Sequence, residues 1–301
     1  MRYLLAASLA LASVSVSAQP APPPPPPVTV EQLTPQFAFM HARGGNVLAF
    51  HGPEGSLLVD DEFAASAAPL AAAVDALGHP PIRYVINTHW HGDHTGANAL
   101  LAGRGAVTIA QHNARERMSS DQVIRGRTIP PEPEAMRPLL TYDGDLTLHF
   151  NGEAIRILHP PRAHTDGDSI VYFPRANVLA MGDIFFNRFL PFIDVRAGGS
   201  IDGLIAAVNQ ALAMADERTI IVPGHGAVGH KADLAAYRDM LVALRAGVAA
   251  ARARGQTLAQ IKAARLADRY VTGLGWITPD ELVEAVYTSL RAPGLTRRTG
   301  G

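Results

Sequence analysis

The segment Thr88–Gly96, THWHGDHTG, decides how the rest of the chain is interpreted. Within six residues it places three of the chain's 12 histidines and one aspartate: His89, His91, Asp93 and His94. Such a run suits a hydrophobic core poorly, because each imidazole and carboxylate would need its own buried partner. The same side chains are good metal ligands. The chain contains no cysteine, so any metal site must be built from histidine and carboxylate.

The first 18 residues predict a cleavable signal peptide. Arg2 precedes an apolar run, and the small residues Val16-Ser17-Ala18 fit the cleavage rule with a mature start at Gln19. The apolar run is shorter than the roughly 20 residues that cross a bilayer. We therefore expect no membrane span in the mature protein and a periplasmic or secreted location. Residues 19–27, QPAPPPPPP, predict a stiff proline-rich spacer.

The remaining residues, 28–301, are enough for one large domain with a sizeable core. The whole chain is 48% hydrophobic and 18% charged, with a formal net charge of −1. Since there is no basic run, the composition does not indicate binding to nucleic acid or to an anionic membrane surface. We therefore expect a small-molecule substrate, while the oligomeric state stays open.

The order of strands and helices predicts an α+β fold. Strand and turn patterns over residues 36–60, a helix over 64–77 and a strand over 81–87 come first. A second set begins with a hairpin around Asn151-Gly152. Helices close the chain, with capping boxes at Thr257/Gln260 and Thr278/Glu281, and form a predicted helical C-terminal extension at about 231–295. This order predicts two packed sheets with helices outside.

Further histidines and an aspartate follow other predicted strands. His164, Asp183 and His225 each come after a strand and stand near glycine, which lets the backbone approach a bound ion closely. A single histidine after a strand is usually structural. Several such sites at predicted strand ends, together with the first cluster, indicate one shared site. His159 and His230, each five residues from a candidate ligand, are interpreted as surface or packing side chains.

The motif H-x-H-x-D-H at residues 89–94, followed by single His, Asp and His at strand ends, resembles the metallo-β-lactamase-fold hydrolases. The resemblance covers roughly residues 37–226 and implies an αβ/βα sandwich of two mixed sheets with a two-metal site on its rim. It implies a first site of His89, His91 and His164, a second site of Asp93, His94 and His225, Asp183 bridging both, and Asp60 supporting the ligands from behind.

Two divalent ions in such a site lower the pKa of water toward about 7, and so supply a hydroxide nucleophile without Ser or Cys. Asp93 is expected to orient the hydroxide or carry its proton. Zinc suits histidine and carboxylate ligands that have no redox task. We expect two zinc ions per chain, with iron and manganese as open alternatives.

The predicted reaction is hydrolysis of an ester, lactone, thioester or amide bond. A true metallo-β-lactamase is an alternative, but many of these enzymes have Cys at the Asp183 position and Lys where this chain has Phe186. Asp183 is more similar to the glyoxalase, lactonase and esterase branches. A non-catalytic metal-binding accessory protein is the alternative from another class. Phe186, Arg188 and Arg196 are the candidate substrate contacts, and the aromatic loop 185–192 either lines the cleft or packs beneath it.

Overall fold

The computed structural model describes residues 27–290. The predicted signal peptide, the proline-rich spacer except Pro27, and the last part of the predicted C-terminal extension lie outside the described residues. Within residues 27–290, no helix combines the length and the apolar character that crossing a membrane requires.

Seven strands form the first sheet. They are β1 (Thr29–Thr34), β2 (Phe37–His41), β3 (Val47–Gly52), β4 (Gly55–Val59), β5 (Ile82–Ile86), β6 (Val107–Gln111) and β9 (Leu140–Tyr142), in the order β1-β2-β3-β4-β5-β6-β9. Strands β1 to β4 form an antiparallel meander, whereas β4, β5, β6 and β9 are parallel. Every residue of β3 and β4 is buried, as expected for central strands that are covered on both faces.

Five strands form the second sheet, in chain order. They are β10 (Leu146–Phe150), β11 (Glu153–Leu158), β12 (Ile170–Phe173), β13 (Val178–Ala180) and β14 (Ile220–Val222). All neighbours are antiparallel except β13 and β14, which are parallel. Asn151 and Gly152 join β10 to β11 with positive φ angles of 47° and 78°, as a two-residue hairpin turn requires. The predicted hairpin is therefore confirmed.

Helices cover the outer face of each sheet. They are α1 (Ala67–Asp75), α2 (Gly92–Thr95), α3 (Asn98–Gly103), α4 (His112–Met118), α5 (Ile201–Met214), α6 (Lys231–Ala253), α7 (Leu258–Ala263) and α8 (Pro279–Ser289). Residues such as Phe37, Phe50 and Phe173 fill the space between the sheets. A second apolar cluster packs α1 and α3 on the first sheet, and a third packs α5 to α8 on the second. The predicted αβ/βα sandwich is confirmed.

The differences from prediction are in short elements. Strands β1 and β9, helix α4, and the hairpin of β7 (Gln122–Ile124) and β8 (Arg127–Ile129) were not predicted. For β7, β8 and β9 the reason is length, because strands of three residues are too short to show a period. Residues 92–103 form two short helices, α2 and α3, separated by Gly96 and Ala97. The capping boxes of α7 and α8 are both present, and Pro279 is the first residue of α8.

Candidate metal centre

The seven predicted ligands meet at one edge of the sandwich, where strands of both sheets end. His89 and His91 follow β5, His164 follows β11, Asp183 follows β13, His225 follows β14, and Asp93 and His94 lie on α2. Strict alternation from His89 would place Asp93 on the same side of an extended segment as His89 and His91. The chain does not stay extended, because a helical turn begins at Gly92, and Asp93 falls in the second of the two ligand groups.

The first group of side chains consists of three imidazoles and one carboxylate. Nδ1 of His91 lies 3.0 Å from Nε2 of His89 and 3.0 Å from Nε2 of His164. Oδ2 of Asp183 is 3.6 Å from His164 Nε2 and 3.9 Å from His89 Nε2. Four ligand atoms therefore surround one point.

The second group contains Asp93, His94 and His225. Nε2 of His94 is 3.4 Å from Nε2 of His225, and Asp93 Oδ2 lies 3.6 Å and 3.3 Å from these two atoms. Oδ1 of Asp183 lies 3.2 Å from His94 Nε2 and 3.4 Å from His225 Nε2. The two oxygens of Asp183 thus face different groups, which is the arrangement of a bridging carboxylate.

Two histidines of the first group have their outward nitrogens fixed by acceptors. His164 Nδ1 donates to the backbone oxygen of Phe192 at 2.8 Å, and His91 Nε2 donates to Asp194 Oδ2 at 3.1 Å. A carbonyl or carboxylate oxygen only accepts, so the ring proton lies on the outward nitrogen. In the neutral rings, the inward nitrogens are left with a lone pair.

Asp60 organises one histidine of each group. Its Oδ2 accepts from His94 Nδ1 at 2.8 Å and from the Thr88 hydroxyl at 2.8 Å. Because the Thr88 hydrogen is used in that bond, its oxygen accepts from His89 Nδ1 at 3.0 Å. Asp60 Oδ1 also accepts from the Thr88 backbone N–H at 2.7 Å. Asp60 therefore fixes the tautomer of both rings, as partners behind metal ligands commonly do.

The converging atoms fit a divalent cation. Ligands on a tetrahedral zinc ion at 2.0–2.1 Å lie about 3.3 Å from one another, close to the separations within both groups. Inward lone pairs 3.0 Å apart have no proton between them when the rings are neutral, so they would repel each other unless a cation lay between them. Asp183 Oδ1 is buried and forms no hydrogen bond of normal geometry within residues 27–290. The donor set thus has the composition and spacing of a metal site.

Burial and neighbouring charges shift the pKa values of the candidate ligands in different directions. Burial lowers the pKa of His89 well below its usual value and that of His164 to about 4, so both remain neutral ligands. Burial alone would raise the pKa of Asp183, but His225 and His94 outweigh it and hold that pKa well below normal. The pKa of Asp93 falls to about 2, since His94 and His225 likewise outweigh burial. Burial would lower the pKa of His94 and His225, but Asp183 and Asp93 outweigh it, so the pKa of His94 lies well above normal and that of His225 is about 9. The negative charge of the two carboxylates is therefore opposed by positive charge on these two rings.

Glycine permits the close approach of backbone to these side chains. A Cβ atom at Gly45 would lie 2.1 Å from Cε1 of His94, and one at Gly224 would lie 2.0 Å from Oδ1 of Asp183. Neither position can accept a side chain without displacing a candidate ligand.

A cleft of ≈ 430 Å³ opens above the site, with His91, Asp93, Asp183 and His225 in its lining. Asp93 is the most accessible of the seven: its side chain is 20% exposed, whereas the other six are 0–7% exposed. A molecule in the cleft would therefore meet the Asp93 carboxylate beside both groups of ligands.

The predicted substrate contacts lie outside the lining of this cleft. Phe186 is 1% exposed and stacks on His225, with ring centroids 5.4 Å apart. It therefore supports the candidate metal ligand His225 and does not face the cleft. Arg196 lines a separate groove beside α8, and Arg188 turns with a positive φ of 66° in the loop before it. The arginines that line the cleft are Arg43, Arg117 and Arg125. From the aromatic loop, Phe192 reaches the cleft while Phe185 and Phe186 are buried.

Two residues that contact the candidate ligands were not identified from the sequence. Asp194 was one, although an aspartate inside the apolar run Phe192-Ile193-Asp194-Val195 could have indicated a buried partner. Trp276 was another, because nothing in its local sequence relates it to the ligands. His159 and His230 lie outside both ligand groups. His159 Nδ1 donates to the Asp168 backbone oxygen, and His230 caps α6.

Residues 42–250 match the metallo-beta-lactamase superfamily. A hydroxyacylglutathione hydrolase of Nitrosococcus oceani is 32% identical over 168 residues, which cover 52% of this chain and 57% of that protein. A second, from a Polaromonas species, is 29% identical over 175 residues, with the same two coverages. This chain therefore spans little more than half the length of these curated relatives.

Solved structures agree on the fold. The metallo-beta-lactamase DIM-1 superimposes with a TM-score of 0.58 at 20% identity, covering 72% of this chain and 97% of its own. A metallo-beta-lactamase from Pontibacter korlensis gives 0.58 at 17% identity, covering 71% and 98%. The αβ/βα sandwich with a histidine and aspartate cluster at its rim belongs to a class of metal-dependent hydrolases. The chain is a member of the metallo-beta-lactamase superfamily.

Proposed function

We propose that this protein is a dinuclear zinc-dependent hydrolase that cleaves an ester, lactone or thioester bond. One observation carries the proposal: seven ligand side chains converge in two groups, and in four of the histidines the outward nitrogen is held by an acceptor. The first group would hold one ion through His89, His91 and His164. The second would hold another through Asp93, His94 and His225, with Asp183 shared between them.

The protein's own residues prepare the site for hydrolysis. When bound, the divalent ions supply an ionised water at neutral pH and polarise the carbonyl under attack. The Asp93 side chain is 20% exposed, so its carboxylate can reach the cleft and orient the attacking water. The largely apolar cleft excludes water around the substrate.

The choice of bond rests on both residues and relatives. Phe186 replaces the lysine with which many β-lactamases hold the carboxylate of the drug, and its ring is buried against His225. The name hydroxyacylglutathione hydrolase, borne by two relatives, favours an acyl compound as substrate. The similarity to solved β-lactamases supports the fold alone. We further propose that residues 1–18 direct export to the periplasm or the medium.

A substrate panel tests the proposal. Zinc-supplemented protein is assayed with chromogenic esters, lactones, thioesters and nitrocefin, beside His164→Ala and, as a matched control, His159→Ala. We expect turnover of at least one ester, lactone or thioester, its loss in His164→Ala, and its retention in His159→Ala. Protein that binds two zinc ions but hydrolyses nothing in the panel would instead support the alternative of a non-catalytic accessory protein.

A further inference from the structure

The walls of the cleft are aromatic and apolar, unlike its floor of candidate ligands. The chain has two tryptophans, and both line this cleft. The ring of Trp90 lies 4.5 Å from that of His91, and the ring of Trp276 lies 4.5 Å from that of His225. Phe63 and Phe192 complete the aromatic lining. Trp90 is 5% exposed and belongs to the packing of the site, whereas Trp276 is 45% exposed and is accessible to a ligand.

Trp276 comes from a part of the chain beyond the family match, which ends at residue 250. It lies between α7 and α8, on a segment fixed against the loop that follows Asp183. Gly275 has a φ of 86°, and a Cβ atom there would lie 2.6 Å from Phe189. The Thr272 hydroxyl donates to the Arg188 backbone oxygen at 2.6 Å, and Ile277 is buried. Residues on both sides of Trp276 in sequence are thus held in place, while Trp276 itself stays 45% exposed.

The β7–β8 hairpin supplies a second apolar element of the wall through Ile124 and Ile129. Arg125, at its turn, donates from Nε and Nη2 to Oε1 of Glu281, at 3.0 Å and 2.6 Å. Glu281 is also the capping-box residue of α8, the helix that follows Trp276. The hairpin and the Trp276 segment therefore both contact the N-terminal end of α8.

Two of the three arginines in the lining are paired within the protein, and the third, Arg43, is exposed to solvent. Arg117 pairs with Asp166 at 2.6 Å and Arg125 with Glu281, so their charges are already balanced. An uncharged apolar group can therefore contact these walls without leaving buried charges unpaired.

We propose that Trp276, together with the β7–β8 hairpin, binds the apolar chain of the substrate and makes the enzyme prefer long-chain or aryl esters and lactones over short ones. The proposal rests on the hydrolase function proposed above. Trp276 acts on selectivity, since its ring reaches the cleft without contributing a ligand atom to either group.

Two lactones that differ only in alkyl chain length provide the test. We expect wild-type holoenzyme to favour γ-decalactone over γ-butyrolactone in kcat/KM. Trp276→Ala should raise KM for γ-decalactone about tenfold, because the alkyl chain loses apolar contact. It should lower kcat/KM for γ-butyrolactone much less, so that the ratio of the two kcat/KM values falls toward one. Trp276→Phe should retain most of the preference. Leu274→Ala is the control, because Leu274 is 55% exposed in the same segment and does not line the cleft.

Binding measurements separate failure of this inference from failure of the hydrolase proposal. Calorimetry with decanoate and butyrate on the zinc-loaded protein reports on the pocket even when no lactone is cleaved. Tighter binding of decanoate, weakened in Trp276→Ala, supports the inference. Equal binding of the two acids by the wild type, or a Trp276→Ala variant that loses activity on both lactones equally, overturns it, since Trp276 would then only support His225.

Discussion

Asp194→Asn should weaken the first metal site selectively. The Asp194 side chain is 4% exposed, and its oxygens accept from His91 Nε2 at 3.1 Å and from the Ala197 backbone N–H at 3.0 Å. Burial alone would raise the pKa of Asp194, but the hydrogen bond from His91 is the largest of the contributions that outweigh it and lower that pKa, so the residue is a carboxylate. As a carboxylate, Asp194 keeps the proton of neutral His91 on Nε2 and the inward Nδ1 free.

The asparagine amide has only one oxygen to serve these two donors. If that oxygen stays on the Ala197 N–H, the amide NH₂ faces His91 Nε2 and favours the tautomer with the proton on Nδ1, the candidate ligand atom. Loss of such a partner typically costs 10–100-fold in metal affinity, or about 1.4–2.8 kcal/mol. The second site should change little, because Asp194 contacts none of its ligands.

Zinc titration against a competing chelator measures both affinities. We expect one dissociation constant to rise about 10–100-fold and the other to stay within about threefold. Asp202→Asn, which removes only an exposed ion pair with Arg245, is the matched control and should leave both unchanged. Equal weakening of both sites, or no weakening of either, would refute the role assigned to Asp194.

Three further predictions concern the ligands and the substrate. Asp183→Ala should leave about one zinc ion per chain, because the first site keeps its three imidazoles; elemental analysis that finds the first site emptied would contradict this. His164→Ala should abolish activity while His159→Ala leaves it largely intact, and the reverse order in steady-state assays would mean that the third ligand is misassigned. Nitrocefin should be hydrolysed weakly relative to a simple lactone, because Phe186 cannot donate a charge-assisted hydrogen bond to the carboxylate of the drug. Such a bond is worth roughly 1.5–3 kcal/mol, or about ten- to hundred-fold in rate. A kcat/KM for nitrocefin far above the lactone value would restore the lactamase interpretation.

The sequence predicted those features of the structure that depend on residues close together in the chain. The Asn151-Gly152 turn, the capping boxes at Thr257 and Thr278, and the placement of His and Asp after strands each depend on neighbouring residues. They therefore predicted the sandwich and the candidate ligands. Alternation does not hold beyond His91, because the chain changes from extended to helical at Gly92.

The remaining features depend on contacts between distant parts of the chain. Asp194 meets His91 from 103 positions away, and Trp276 meets His225 across the C-terminal helices. The β7–β8 hairpin has strands of three residues, too short to show an alternation. Arg188 and Arg196 were chosen for being near Asp183 in sequence, which does not determine whether a side chain faces the cleft.

The most direct test of the account is the metal content of the purified protein. Protein prepared with zinc, desalted and analysed by elemental mass spectrometry should contain about two zinc ions per chain, and a double variant of His89 and His94 to alanine should contain almost none. Wild-type protein that retains no metal after zinc loading, while still correctly folded by circular dichroism, would contradict the assignment of the seven converging side chains as ligands.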